Sequence, residues 1–102
     1  MFLDHENDAV SIAPEVHKVV LENDSIRVLD VIVPPGYKAL SHWHPKNNCY
    51  VIDGGKLHFT LPDGTAKDAE LVKDQVTQGE GEHIVENIGD TTVRVIQIEF
   101  KK

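Results

Sequence analysis

Short β-branched runs alternate with turn signals roughly every eight to twelve residues along this chain, and helical periodicity is weak throughout. Val16 to Leu21 is an apolar-rich run closed by Glu22-Asn23-Asp24. Ser25 to Val33 is the longest strand candidate, with Leu29, Val31 and Val33 on one face and Ile26, Val28 and Ile32 on the other. Pro34-Pro35-Gly36 ends it, because proline cannot donate to a ladder and glycine permits the turn. Cys49 to Ile52 and Lys56 to Leu61 flank Asp53-Gly54-Gly55, which reads as a hairpin, and Pro62-Asp63-Gly64 reads as a second hairpin leading into Lys67 to Val72. Gly79-Glu80-Gly81 reads as a loop before His83 to Ile88. The final run, Thr92 to Phe100, suggests burial of Val93, Val95 and the Ile96-Gln97-Ile98 stretch.

About seven or eight evenly spaced strands with almost no helix predict an all-β jelly roll, sandwich or small barrel. A length of 102 residues fits one domain. The polar beginning divides it into residues 1–15, an N-terminal arm or edge strand, and residues 16–102, a β-barrel. Seventeen acidic against ten basic residues give a formal charge of −7, with no basic stripe, so nucleic acid and anionic membrane are excluded as expected partners. No segment approaches the roughly 20 apolar residues of a membrane span, and the acidic start does not resemble an export signal. The single cysteine, Cys49, precludes an intrachain disulfide and reads as a small buried hydrophobe. A cytoplasmic location is the expectation.

The candidate chemistry lies in six histidines. In Ser41-His42-Trp43-His44-Pro45, two of them stand at i and i+2. On a strand both imidazoles then face the same side, about 7 Å apart at the backbone, and can lean onto one ion. Trp43 faces the other way and reads as packing. His5, His17 and His58 read as ordinary surface or hydrogen-bonded core histidines, although the strand carrying Leu57-His58-Phe59 can line the same cavity.

The residues around the pair resemble the first cupin motif: Gly36, five residues, His42-Trp43-His44, then the closing strand and turn Tyr50-Val51-Ile52-Asp53-Gly54. His83-Ile84-Val85-Glu86-Asn87 resembles the end of the second motif. The resemblance covers roughly residues 16 to 100 and implies a cupin-type double-stranded β-helix. It also implies that His42, His44 and His83 converge on one divalent metal, whether iron, zinc, nickel, manganese or copper. Two departures stand out. The motif-one glutamate is absent, with Asn47 and Asn48 at its place, and the proline before the motif-two histidine is replaced within Gln78-Gly79-Glu80-Gly81-Glu82.

Three neutral histidines leave the charge of a divalent ion uncompensated and two or three positions open, which suits an anionic chelating ligand or oxygen. The resemblance therefore implies an Fe(II) oxygenase acting on a small organic substrate, or, with zinc, a hydrolase or lyase. The alternatives are a non-enzymatic binding, sensor or accessory module and a degenerate cupin without metal. Asn47, Asn48 and His58 are candidate site-lining residues. Small cupins commonly pair, so a homodimer is expected, with Phe2 and Leu3 as anchors.

Overall fold

The structure is a computed structural model that describes residues 5–101. Its elements run α1 (Ala9–Ile12), β1 (His17–Glu22), β2 (Ile26–Val33), β3 (His42–Asp53), β4 (Gly55–Thr60), β5 (Ala66–Leu71), β6 (Val76–Asn87) and β7 (Val93–Phe100). The strands lie in the order β1-β2-β7-β3-β6-β4-β5, every pairing antiparallel. Among the described residues no helix is long and apolar enough to cross a membrane.

Two long strands make the barrel. β6 pairs with β3 from Val76 to His83 and then with β4 from Ile84 to Asn87, so it passes from one sheet to the other immediately after His83. β4 and β5 complete the second sheet, which closes over the first. Leu29, Val31 and Val33 of β2, Val51 of β3, Leu57 of β4, Val85 of β6 and Val93 and Val95 of β7 form the buried core between them.

The structure revises three readings of the sequence. Asp53-Gly54-Gly55 is not a hairpin: β3 and β4 are not neighbours, and the chain crosses there between sheets. Both glycines are demanded by close approach, since a Cβ on Gly54 would lie 2.2 Å from the Leu71 carbonyl oxygen and one on Gly55 would lie 2.7 Å from Val93 Cγ2. Gly79-Glu80-Gly81 is not a loop but lies within β6, paired against β3. On β7, Ile96 and Ile98 are only half-buried and face outward, while Val93, Val95, Gln97 and Glu99 are buried. The barrel thus takes two polar side chains inside in preference to two isoleucines.

The other turns follow their residue types. Tyr37 N donates to Pro34 O at 3.1 Å across a turn whose third residue, Gly36, has φ +81°, a value that favours glycine. Asn87 is buried at the β6 terminus, where its Nδ2 donates to the carbonyls of Val33 and Thr91, both at 2.8 Å, and its Oδ1 accepts from Gly89 N at 3.0 Å. One amide therefore ties the end of β2 to the single turn between β6 and β7.

The N-terminal segment packs against the barrel. Asp8 caps α1, accepting from Val10 N at 3.3 Å, and forms an isolated bridge with Trp43. Trp43 points to the outside, as strand alternation predicts, and its ring stacks on His5 with centroids 4.4 Å apart.

Gly54→Ala should cost about 1–3 kcal/mol or more, because its Cβ meets backbone. Gly64→Ala, at φ +88° in an open turn, should cost only about 1 kcal/mol. Urea unfolding of both variants checks the order; equal losses would contradict the close-approach explanation.

Candidate metal centre

A β-bulge aims the site. Between His44 and Asn47 the register against β6 slips, with His44 opposite Gly81 and Asn47 opposite Gly79, so β3 holds one extra residue at Pro45-Lys46. Proline fits there because it has no ladder hydrogen to give. The bulge inverts the alternation. His42 and His44 face inward before it, Asn47 and Cys49 face inward after it, and Lys46 is left exposed. His83 lies directly across the ladder from His42. The strand spacing that predicts a shared face for His42 and His44 is what the barrel shows.

A fourth histidine joins them. His17, the first residue of β1, is buried at the same end of the cavity. Its ring centroid is 5.0 Å from that of His42 and 5.1 Å from that of His44, and one nitrogen from each of the three lies within 4.8 Å of the others. His83 stands beside this trio, with ring centroids 4.9 Å from His42 and 5.5 Å from His44, and its other side packs on Phe59 at 5.2 Å.

Each histidine of the trio is tied from behind through Nδ1. His17 Nδ1 lies 2.9 Å from Ala13 O, His42 Nδ1 lies 2.7 Å from Leu40 O, and His44 Nδ1 lies 2.7 Å from Glu99 Oε2. A carbonyl oxygen only accepts, so His17 and His42 carry their proton on Nδ1, and the Glu99 carboxylate asks the same of His44. The Nε2 lone pairs are left free. On His42 that atom is fully buried and has no hydrogen-bond partner in the protein. Leaving a buried polar atom unpaired costs about 1–3 kcal/mol, so it calls for an occupant.

Burial keeps the rings uncharged. It pushes His17 down to about 4, with the neighbouring His44 adding to the effect. Burial likewise holds His44 and His83 down to about 3 and lowers His42, and the histidines oppose one another's protonation. Neutral imidazoles with fixed tautomers, backed by a carboxylate or carbonyl, are the form that metals bind.

Behind His44 lies a buried ion cluster. Arg27 Nε donates to Glu99 Oε1 at 2.6 Å, and its two terminal nitrogens grip Asp8 at 2.8 and 3.0 Å. Burial raises the Glu99 carboxyl and Arg27 opposes that rise. Two carboxylates against one guanidinium leave a formal excess of one negative charge beside the imidazoles, the sign that favours a cation.

The remaining candidates separate clearly. Asn47 lines the cavity, but its Nδ2 donates to Pro45 O at 2.9 Å, and its Oδ1 lies 3.6 Å from Cys49 Sγ. Asn48 falls on the opposite face of β3 from Asn47 and is not in the cavity wall. His58 also lies outside it, paired with Asp68 at 2.5 Å on the outer side of β4, because its neighbours Leu57 and Phe59 take the inward positions. Glu82 faces Ser41 and Asn7 rather than the cavity. The Cys49 thiol is pushed up to about 11 by burial and stays protonated. His17 and Glu99 are the residues that sequence reading passes over. The signal for Glu99 is two polar residues, Gln97 and Glu99, continuing the face begun by Val93 and Val95; His17 offers none, since its partners are far away in the chain.

The cavity itself is about 350 Å³. The histidines occupy one end, and Val31, Leu57, Phe59, Leu71 and Val95 make much of the wall.

Comparison with solved structures matches this architecture. A cupin domain from Bordetella pertussis superposes with a TM-score of 0.77 at 27% identity, covering 85% of this chain and 93% of that one. A conserved protein with a double-stranded β-helix domain from Klebsiella pneumoniae gives 0.68 at 20% identity, covering 84% and 76%. A cupin family protein from Methanocaldococcus jannaschii gives 0.67 at 12% identity, covering 83% and 78%. No family model and no curated protein match the chain. By fold the chain is a cupin-type double-stranded β-helix barrel.

Because these histidines titrate near 6.5 when unfolded and near 3 to 4 when folded, unfolding takes up protons below pH 6.5. Stability is fully present above pH 6.5 and is lost as pH falls toward 4, at up to about 1.4 kcal/mol per pH unit for each histidine. Urea midpoints of metal-free protein between pH 7.5 and 4.5 should show the fall, and His83→Phe should make it shallower. A flat profile from pH 7 to 5.5 would contradict neutral burial.

Proposed function

We propose that the protein is a metal-dependent cupin that holds one divalent transition ion at its histidine cluster and presents it to a small organic ligand in the apolar cavity. The observation carrying this reading is the set of imidazoles with Nδ1 committed outward and a fully buried, unpartnered Nε2 on His42. The ion supplies a Lewis acid and, if it is iron, manganese or copper, a centre for oxygen chemistry.

The cavity narrows the ligand class. Its apolar wall and volume near 350 Å³ suit a small organic molecule, with Gln97 and Thr77 among the few polar side chains in the wall. The imidazoles contribute no charge, so an anionic or chelating oxygen or sulfur donor is the end that turns toward them. Hydrolysis and elimination need a positioned acid or base. Apart from the histidines, the titratable side chains in the wall are Cys49, Lys67 and Glu80; the first stays protonated, and the other two are exposed. Dioxygenation of a chelating substrate makes no such demand, so it is the reaction class we assign. The same lack of an acid or base supports a second reading, a sensor or accessory module that binds a ligand on the metal without turnover.

Elemental mass spectrometry of untagged protein should find about one transition-metal ion per chain and almost none in a variant carrying His42→Ala, His44→Ala and His83→Ala. Equal metal in both, or none in the parent after anaerobic reconstitution with iron or zinc, would overturn the metal centre. Oxygen uptake with chelating acids separates turnover from binding alone.

A further inference from the structure

The motif-one carboxylate is absent, and the residue in its place does not take over its task. Asn47 faces the cavity, but its amide nitrogen is spent on the Pro45 carbonyl and its oxygen faces the Cys49 thiol. β3 therefore supplies two imidazoles and no further donor. His17 is placed to make good the loss from a different strand. It is buried, one of its nitrogens lies within 4.8 Å of nitrogens of both His42 and His44, and its Nδ1 is held by Ala13 O. Its ring meets those of His42 and His44 with centroids 5.0 and 5.1 Å apart, so three imidazoles converge on one buried point rather than packing separately.

We infer that His17 is a ligand to the same ion as His42, His44 and His83, supplying from β1 the fourth donor that β3 lacks. The inference rests on the metal-binding reading above and deepens it. Four neutral donors replace three plus a carboxylate, so the ion keeps its full double charge, and the nearest compensating negative charge is Glu99, held behind His44 at 2.7 Å from Nδ1. The site consequently selects a ligand that is itself anionic. The fourth donor is also tied to the N-terminal segment. Ala13, which holds the ring, caps α1 through Ala13 N donating to Ala9 O at 2.8 Å, and Asp8 at the other end of α1 grips Arg27.

The test uses zinc as the probe on the metal-stripped full chain. His17→Asn is the informative variant, because its amide can still donate to Ala13 O while it offers nothing at the Nε2 position; His17→Gln is made beside it, and circular dichroism confirms that each is folded. Competition titration should show one zinc per parent chain and binding weaker by roughly tenfold or more in His17→Asn. X-ray absorption of the zinc-loaded proteins should count one imidazole fewer in the variant than in the parent. Parent and variants with equal affinity and an equal imidazole count would overturn the role of His17 and leave the metal centre standing. A parent that binds no zinc would overturn both. If His17→Asn does not fold, the same comparison is made on His17→Gln, and if neither folds, a parent count of three imidazoles with Asn47 or water completing the shell would overturn the assignment.

Discussion

Glu99 is the constraint on which the site depends. It is wholly buried, and burying a carboxylate is tolerable only when charge and hydrogen bonds meet it on every side. Arg27 meets one oxygen and His44 the other. Arg27 is in turn held by Asp8, so the N-terminal segment, β2, β7 and β3 are fastened to one another through four side chains. The register follows, because Arg27 stands directly opposite Glu99 in the β2–β7 ladder and Asn47 stands opposite Glu99 in the β3–β7 ladder. Removing one partner of such a cluster costs about 3–5 kcal/mol and releases the His44 ring.

From that anchor the histidines fall into place through backbone features that look like irregularities. The bulge at Pro45-Lys46 lets β3 present His42 and His44 on one side of it and Asn47 and Cys49 on the other, all inward. The transfer of β6 between sheets sets His83 across from His42 at the seam. The tight crossing at Gly54-Gly55 brings β4 over the top and puts Phe59 against His83. A polar cluster at the end of an apolar cavity is the outcome, and it resembles a site designed to hold a ligand more than a core designed to be stable.

Much of this is legible in the chain. The strands from Ser25 to Val33 and from Lys56 to Leu61 announce themselves by β-branched runs and turn residues, and the i, i+2 spacing of His42 and His44 reveals a shared face because a strand has a period of two. Local pattern fails where a long-range demand prevails. Gly79 and Gly81 look like a loop because glycine is rare inside strands, yet here they sit across the ladder from the bulged part of β3, with Gly81 at φ +109°. Ile96 and Ile98 look buried because they are apolar, but Glu99 must face Arg27 and His44, and strand alternation then turns both isoleucines outward. His17 is illegible for a related reason. It comes within reach of His42 only after β1 has joined β2 and β7 has inserted between β2 and β3, a relation that no sequence interval expresses.

The barrel holds His17, His42 and His44 in one tautomer, each with Nδ1 committed to an acceptor behind the ring. Nitrogen-15 NMR of the imidazoles in metal-free protein at neutral pH tests this most directly. The expected result is uncharged rings with the proton on Nδ1 for His17, His42 and His44, and a shift of their Nε2 resonances together on addition of one equivalent of zinc. Charged rings, a proton on Nε2, or resonances that zinc leaves unmoved would contradict it.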